Sequence, residues 1–124
     1  MAKVLVALYG ADDMWRTVHE LEAEGHEVVG TGELEGALDH YFKLHSTSPF
    51  DVVVISVHFN RAFAGYDFVR RLRKKGDQTP IILAQWSLGF NVPYTWEEER
   101  VKFIPLEEGG WVTRMIKEIE TILR

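Results

Sequence analysis

Side chains that could do chemistry stand close to the ends of predicted strands in this sequence of 124 residues. Ser56 ends a run of β-branched apolar residues that begins after Asp51, and a serine hydroxyl can act as a nucleophile once a base activates it. Asp12 and Asp13 follow the first apolar run, and carboxylates are the hard ligands that divalent cations prefer. Together with His58 they would form a loose divalent metal site if all three side chains met at one sheet edge, although their spacing matches no metal motif.

The familiar catalytic fingerprints do not occur around these residues. Ser56 lacks the Gly-x-Ser-x-Gly elbow of serine hydrolases. Gly10 and Gly30-Thr31-Gly32 do not reproduce a phosphate-binding loop. The chain has no cysteine, which excludes disulfides, thiolate metal sites and cysteine nucleophiles. We therefore expect a protein that is not an enzyme and carries no cofactor.

Short apolar runs alternate with segments of helical spacing along the chain. The strands are predicted at Val4–Leu8, His26–Gly30, Val52–Val57, Ile81–Trp86 and Val101–Ile104. The helices are predicted from Asp12 or Asp13 through Glu24, then at Glu33–His45, Gly65–Lys75 and Trp111–Leu123. In the first helix we expect one of the aspartates to cap the N-terminus and Trp15, Val18 and Leu21 to lie on one face. In the last helix, Leu123 is expected to be buried with the other apolar residues.

This alternation predicts an α/β fold with a parallel sheet and right-handed crossovers. We expect one domain, residues 1–124, with the flavodoxin-like doubly wound architecture and the strand order 2-1-3-4-5. The segment 87–100 departs from the pattern, because Gly89 and Pro93 interrupt it and only the residues after Thr95 have a helix-starting signature. The fourth helix is therefore expected to be short or replaced by a loop.

The composition is that of an ordinary soluble domain, with 46% hydrophobic residues, 27% charged residues and a net charge of -5. No apolar run reaches the roughly 20 residues of a membrane span, and no signal peptide precedes the first strand. These features predict a cytoplasmic protein without membrane contact. The basic run Arg70–Lys75 is interpreted as a solvated helix face, so no direct nucleic-acid binding is expected.

The order of residues around the third strand resembles the receiver domains of two-component response regulators. Asp51 matches the aspartate that opens the third receiver strand. Gly65 and the helix Phe68–Arg73 match the glycine and helix that follow it, and Pro105 matches the proline after the fifth strand. The resemblance implies the flavodoxin-like fold and a functional site at the carboxyl ends of the strands.

The family's phosphorylation residues are replaced in this sequence. The position of the phosphoacceptor aspartate falls on Ser56, that of the hydroxyl residue after strand four on Gln85, and that of the lysine before the proline on Ile104. Lys102 would lie on the same face as Ile104 but well back from the strand tip. The resemblance therefore implies a degenerate phosphoacceptor site.

The acidic pair that holds Mg²⁺ in receivers is displaced or lost. Counting back without gaps from Gly25-His26-Glu27-Val28 places Leu8 and Tyr9 at those two positions. Asp12 and Asp13 come a few residues later, and only a local insertion would bring them to the site. Their simpler interpretation is one capping residue and one solvated residue, with a metal site as the alternative.

Aromatic residues concentrate after the fourth strand, at Trp86, Phe90, Tyr94 and Trp96. Aromatic side chains of this density either cover the place of a missing helix or anchor a protein interface. Receivers meet partners and dimerise through this face. The four residues are therefore candidates for an interface with another protein or with a second copy of the chain.

Together these features predict a phosphorylation-independent pseudo-receiver that acts in signalling or regulation by binding another protein. The alternative is an atypical receiver, or a module of the same fold that binds a small ligand or cation. Cobalamin-binding domains resemble Val4–Gly10 and Ile55-Ser56, but Gly10–Trp15 lacks their cobalt-ligating histidine.

Overall fold

Five parallel strands form one sheet in the computed structural model of the chain, which describes residues 2–44, 49–59, 63–85, 100–105 and 110–123. The strands are β1 (Lys3–Ala7), β2 (Glu27–Thr31), β3 (Val52–Ser56), β4 (Ile81–Gln85) and β5 (Val101–Pro105). The helices among the described residues are α1 (Ala11–Ala23), α2 (Leu34–Leu44), α3 (Ala64–Lys74) and α4 (Trp111–Ile122). The predicted strands are confirmed with bounds that differ by no more than one residue.

The strand order is β2-β1-β3-β4-β5, so the predicted flavodoxin-like topology is confirmed. Val4 of β1 pairs with Val28 on one side and with Val52 on the other, which makes β1 and β3 central strands. All five residues of β3 are buried. A run of β-branched residues suits this position, because both faces of a central parallel strand pack against helices.

Alternate residues of the strands feed two hydrophobic layers on opposite faces of the sheet. The layer under α2 and α3 includes Leu5, Val53, Ile55, Leu83, Tyr41, Phe68 and Leu72. The layer under α1 and α4 includes Val4, Val6, Val54, Ile104, Leu21, Met115 and Ile119. Two layers of this kind leave the carboxyl edge of the sheet as the place where loops and ligands meet.

Three predictions about the helices are wrong. Trp15 is 53% exposed, because the buried stripe of α1 runs through Met14, Val18 and Leu21 and one residue of helix turns Trp15 away from it. Its ring instead lies beside His19, with the ring centres 6.2 Å apart. Leu123 follows the end of α4 and is 37% exposed.

The third wrong prediction concerns the start of α1. Gly10, with a φ of 127°, occupies the N-cap position, and no side chain caps the helix. Asp12 and Asp13 lie in the first turn, where carboxylates stabilise a helix through its dipole without bonding to its free N–H groups.

None of the helices among the described residues has both the length and the apolar character to cross a bilayer.

A polar cluster joins α2 to the loop before β4 at the opposite, amino edge of the sheet. The Tyr41 hydroxyl donates to the Asp77 carboxylate and lies 2.9 Å from the Thr79 hydroxyl. The Arg73 guanidinium donates to the carbonyl oxygens of Asp77 at 2.8 Å and Thr79 at 2.9 Å. Burial, followed by the hydrogen bond to Asp77, raises the pKa of the Tyr41 hydroxyl far above its ordinary value. The cluster therefore keeps Tyr41 neutral and fixes α2 against the sheet.

Candidate functional site at the carboxyl edge of the sheet

Ser56 is the last residue of β3, and its hydroxyl joins that strand to the end of β1. The Tyr9 backbone N–H donates a hydrogen bond of 2.8 Å to Ser56 Oγ. Leu8 and Tyr9 directly follow β1, and this bond places the Tyr9 backbone beside Ser56. Ser56 is 6% exposed, and its hydroxyl satisfies a backbone donor at the strand tip.

Gly65 allows α3 to start very close to the end of β3. Its backbone N–H donates to the Val57 carbonyl at 2.9 Å. A Cβ atom added to Gly65 would overlap the Ser56 carbonyl oxygen and would lie 3.1 Å from the Val57 Cα. The glycine that carried part of the receiver resemblance is thus required by a close approach of two backbones.

Of the two other positions expected to bind phosphate, Ile104 lies in lateral register with Ser56, and Gln85 stands one residue beyond that row. Ser56 pairs with Ala84 of β4, and Ala84 pairs with Ile104 of β5. Ile104 is 2% exposed and belongs to the hydrophobic layer under α4. Gln85, the last residue of β4, pairs with Pro105 in the backbone register. Ile104, which is predicted to stand at the position of the receiver lysine, is therefore part of the hydrophobic core in this chain.

Asp12 and Asp13 lie on α1, after the tip of β1. Asp12 is exposed and Asp13 is partly exposed. A Cβ atom added to Gly10 would lie 3.6 Å from Asp13 Oδ2, so this carboxylate sits over the start of the helix. Across the described ranges, no three histidine or acidic side chains are grouped so that they could hold a metal ion.

Aromatic rings lie close to the ends of β1 and β3. The rings of Tyr9 and Phe59 meet edge to face, with centres 6.1 Å apart and planes at 71°. Phe63 contacts His58 at 4.7 Å and Tyr66 at 5.5 Å between ring centres. The sequence offered a signal for this arrangement, because Tyr9 follows β1 and Phe59 follows β3, but the pairing of the two rings was not predicted.

His58 holds the backbone that leads into α3. Its Nδ1 accepts a hydrogen bond of 2.8 Å from the Phe63 N–H. Phe63 has a φ of 58°, a left-handed conformation that is uncommon for a non-glycine residue. These contacts give His58 a role in the geometry of the loop, and they do not bring it together with Asp12 and Asp13.

The interface candidates Trp86, Phe90, Tyr94 and Trp96 lie outside the described residues.

The fold is that of response-regulator receiver domains. The chain is similar to a receiver domain protein from Clostridium thermocellum, with a TM-score of 0.80 and 18% identity over 99% of this chain and 94% of that one. It is also similar to the response regulator TrrA from Thermotoga maritima, with a TM-score of 0.79 and 16% identity over 98% of this chain and 99% of that one. A third similar structure is the chemotaxis protein CheY4 from Vibrio cholerae, with a TM-score of 0.77 and 21% identity over 98% of both chains.

No protein-family model matches the sequence. No curated protein matches it either. The likeness is therefore one of backbone architecture, and the function has to be argued from the side chains at the strand tips.

Proposed function

We propose that the chain is a phosphorylation-independent pseudo-receiver, a single receiver-like domain of residues 1–124 that acts in cytoplasmic signalling or regulation by binding another protein. The observation that carries this proposal is the hydrogen bond from the Tyr9 N–H to Ser56 Oγ at 2.8 Å. It gives the residue at the phosphoacceptor position a structural role between β1 and β3. The fold itself supports an assignment to two-component signalling.

Phosphoryl transfer to a receiver needs a carboxylate nucleophile, oxygen ligands for Mg²⁺ and a cation beside the phosphate. Here Ser56 offers a hydroxyl, Leu8 and Tyr9 follow β1 in place of two acids, and Ile104 is buried in the core. TrrA was solved in complex with Mg²⁺ and BeF, so a receiver of this fold can hold such groups. The side chains described for this chain favour a different use of the same edge.

The first experiment tests the absence of phosphorylation. The protein is incubated with acetyl phosphate and Mg²⁺, and its intact mass is measured over time. We expect no gain of mass, because the nucleophile and the charge partner are both replaced. A receiver with a complete acidic site, treated in parallel, shows that the phosphodonor is active. A stable gain of one phosphoryl group on this chain would refute the proposal.

The second experiment tests the protein-binding part of the proposal. Phe90 and Trp96, together with Trp86 and Tyr94, are proposed as interface anchors on the basis of the sequence pattern. The double variant Phe90→Ala/Trp96→Ala should keep its melting temperature and lose its partner, or its dimer if the partner is a second copy. Thermal unfolding and sedimentation measure the two properties separately. A variant that simply unfolds would identify these rings as core residues.

A further inference from the structure

A groove lies over the carboxyl ends of β1 and β2. It consists of two cavities of about 360 Å³ and 670 Å³ that share Tyr9, Gly32 and Glu33 in their walls. Phe59 and Glu35 line the smaller cavity, and Met14 lines the larger one. The two cavities share three wall residues and therefore adjoin each other, and we call them together the Tyr9 groove.

The Tyr9 ring is the main aromatic surface of this groove. It is 55% exposed, although it stands at the end of a buried central strand. The Phe59 ring meets it edge to face and is itself 6% exposed, so Phe59 supports the tyrosine from the core side. The backbone of Tyr9 is fixed by its bond to Ser56. An exposed ring held in this way has a free face for stacking or for contact with a cation.

The charge around the Tyr9 groove is negative. Glu33 and Glu35 line it and are exposed, and Asp12 and Asp13 stand nearby in the first turn of α1. No lysine or arginine is among the wall residues that the structure describes. Within the described ranges, neither glutamate side chain takes part in an ion pair.

The helix dipole explains only part of this arrangement. Glu33 and Glu35 stand at the start of α2, where a carboxylate is favourable in any helix. That effect does not require a cavity beside the carboxylates or an exposed tyrosine ring in the wall of that cavity. The combination of aromatic face, carboxylates and open groove is the chemistry that recognises an arginine side chain, whose planar cation stacks on rings and bonds to carboxylates.

We propose that the Tyr9 groove docks an arginine-containing basic segment of the partner protein. This inference rests on the proposed protein-binding function and specifies the chemistry of the partner. The guanidinium would stack on Tyr9, and Glu33 and Glu35 would accept its hydrogen bonds. A segment of a protein, and not a free small cation, is favoured because the groove is an open trough over two strand ends and exceeds the volume of one side chain.

The test measures binding of a fluorescein-labelled peptide of alternating arginine and alanine residues by fluorescence anisotropy. The double variant Glu33→Gln/Glu35→Gln should weaken binding about fivefold to tenfold, because two carboxylates lose their charge. Tyr9→Ala should weaken peptide binding about threefold. Tyr9→Phe should bind the peptide almost as tightly as the wild type, because the ring is retained.

The matched control is the double variant Glu22→Gln/Glu24→Gln, which removes the same charge at the far end of α1. It should change the affinity less than twofold, because screening limits the reach of exposed charges. Equal loss in the two double variants would overturn the proposal in favour of general attraction to an acidic protein. Binding of agmatine as tight as that of the peptide would overturn it in favour of a small-molecule site.

The result of the peptide-binding test can be distinguished from the result of the phosphorylation test of the proposed function. If the peptide does not bind while the protein stays unphosphorylated by acetyl phosphate, the groove proposal fails and the pseudo-receiver proposal stands. If the protein takes up phosphate, the pseudo-receiver proposal fails regardless of the peptide result.

Discussion

Gly65→Ala tests whether the start of α3 is fixed by contact with the end of β3. Gly65 is the second residue of α3 and is buried. An alanine Cβ there would overlap the Ser56 carbonyl oxygen, and it would lie 3.0 Å from the Ser56 carbonyl carbon and 3.1 Å from the Val57 Cα. All three atoms belong to the backbone, two of them in the last residue of β3 and one in the residue after it, so relief requires movement of the helix as a whole.

Helix propensity and packing predict opposite signs for this substitution. Propensity alone makes alanine more favourable than glycine by about 0.8–1.0 kcal/mol inside a helix. Overpacking costs about 1–3 kcal/mol, and displacement of the helix would also weaken the bond from the Gly65 N–H to Val57, which is worth about 0.5–1.5 kcal/mol. The cost of overpacking exceeds the gain in helix propensity, so we expect the free energy of unfolding to fall by about 1–3 kcal/mol.

Urea denaturation of the variant and the wild type measures this difference. Gly36→Ala is the control, since its Cβ would overlap only the Thr31 hydroxyl, a side-chain group that can rotate away at the loss of its 3.3 Å bond from the Glu33 N–H. The control should change the free energy of unfolding by less than about 1 kcal/mol. A Gly65→Ala protein as stable as the wild type, or no less stable than Gly36→Ala, would show that the close approach does not constrain the fold.

Tyr41→Phe should lower the free energy of unfolding by about 1–2 kcal/mol in urea, because Asp77 loses its hydroxyl partner. Burial and Asp77 raise the pKa of Tyr41, so the contribution of its hydroxyl to the free energy of unfolding is complete below about pH 10 and is lost at higher pH. The difference in free energy of unfolding between wild type and variant should therefore become smaller at high pH. The Ser56→Asp variant should show no gain of a phosphoryl group in its intact mass, and its free energy of unfolding should be about 1–3 kcal/mol lower than that of the wild type. A variant that melts like the wild type would contradict this. When Mg²⁺ is titrated into the protein, the double variant Asp12→Asn/Asp13→Asn should release the same heat as the wild type. A saturable heat signal that the wild type shows and the variant lacks would place a metal at these aspartates.

The sequence was sufficient for the architecture because its local patterns are strong. Runs of β-branched residues such as Val52–Ile55 allow few alternatives to a buried strand, and the alternation with helices leaves few topologies. The exposure of Trp15 was not predictable in the same way. It differs from the buried Met14 by one position, and a helix turns through about 100° per residue, so a small error in phase reverses the prediction.

Contacts between residues far apart in the sequence were also not predicted. The bond between Tyr9 and Ser56 spans 47 positions in sequence, and the contact between Tyr41 and Asp77 spans 36. The predicted strand order placed β1 beside β3, but it did not indicate which backbone donor would meet the serine. Local patterns carry no information about such geometry, whereas the packed sheet determines it.

The short side chain of Ser56 suits a structural bond at this edge of the sheet, and it supports the proposal that the edge is not a phosphorylation site. A serine oxygen is bonded directly to Cβ, and at 2.8 Å from the Tyr9 nitrogen it holds the ends of β1 and β3 together. An aspartate places its oxygens one bond further out, so it would have to push Tyr9 away or turn toward solvent. Ser56 thus fixes the backbone of Tyr9, whose ring lines the neighbouring groove. The proposed absence of phosphate chemistry and the exposed aromatic surface therefore both involve this one hydrogen bond, and a substitution that removes the Ser56 hydroxyl should alter the groove without restoring phosphorylation.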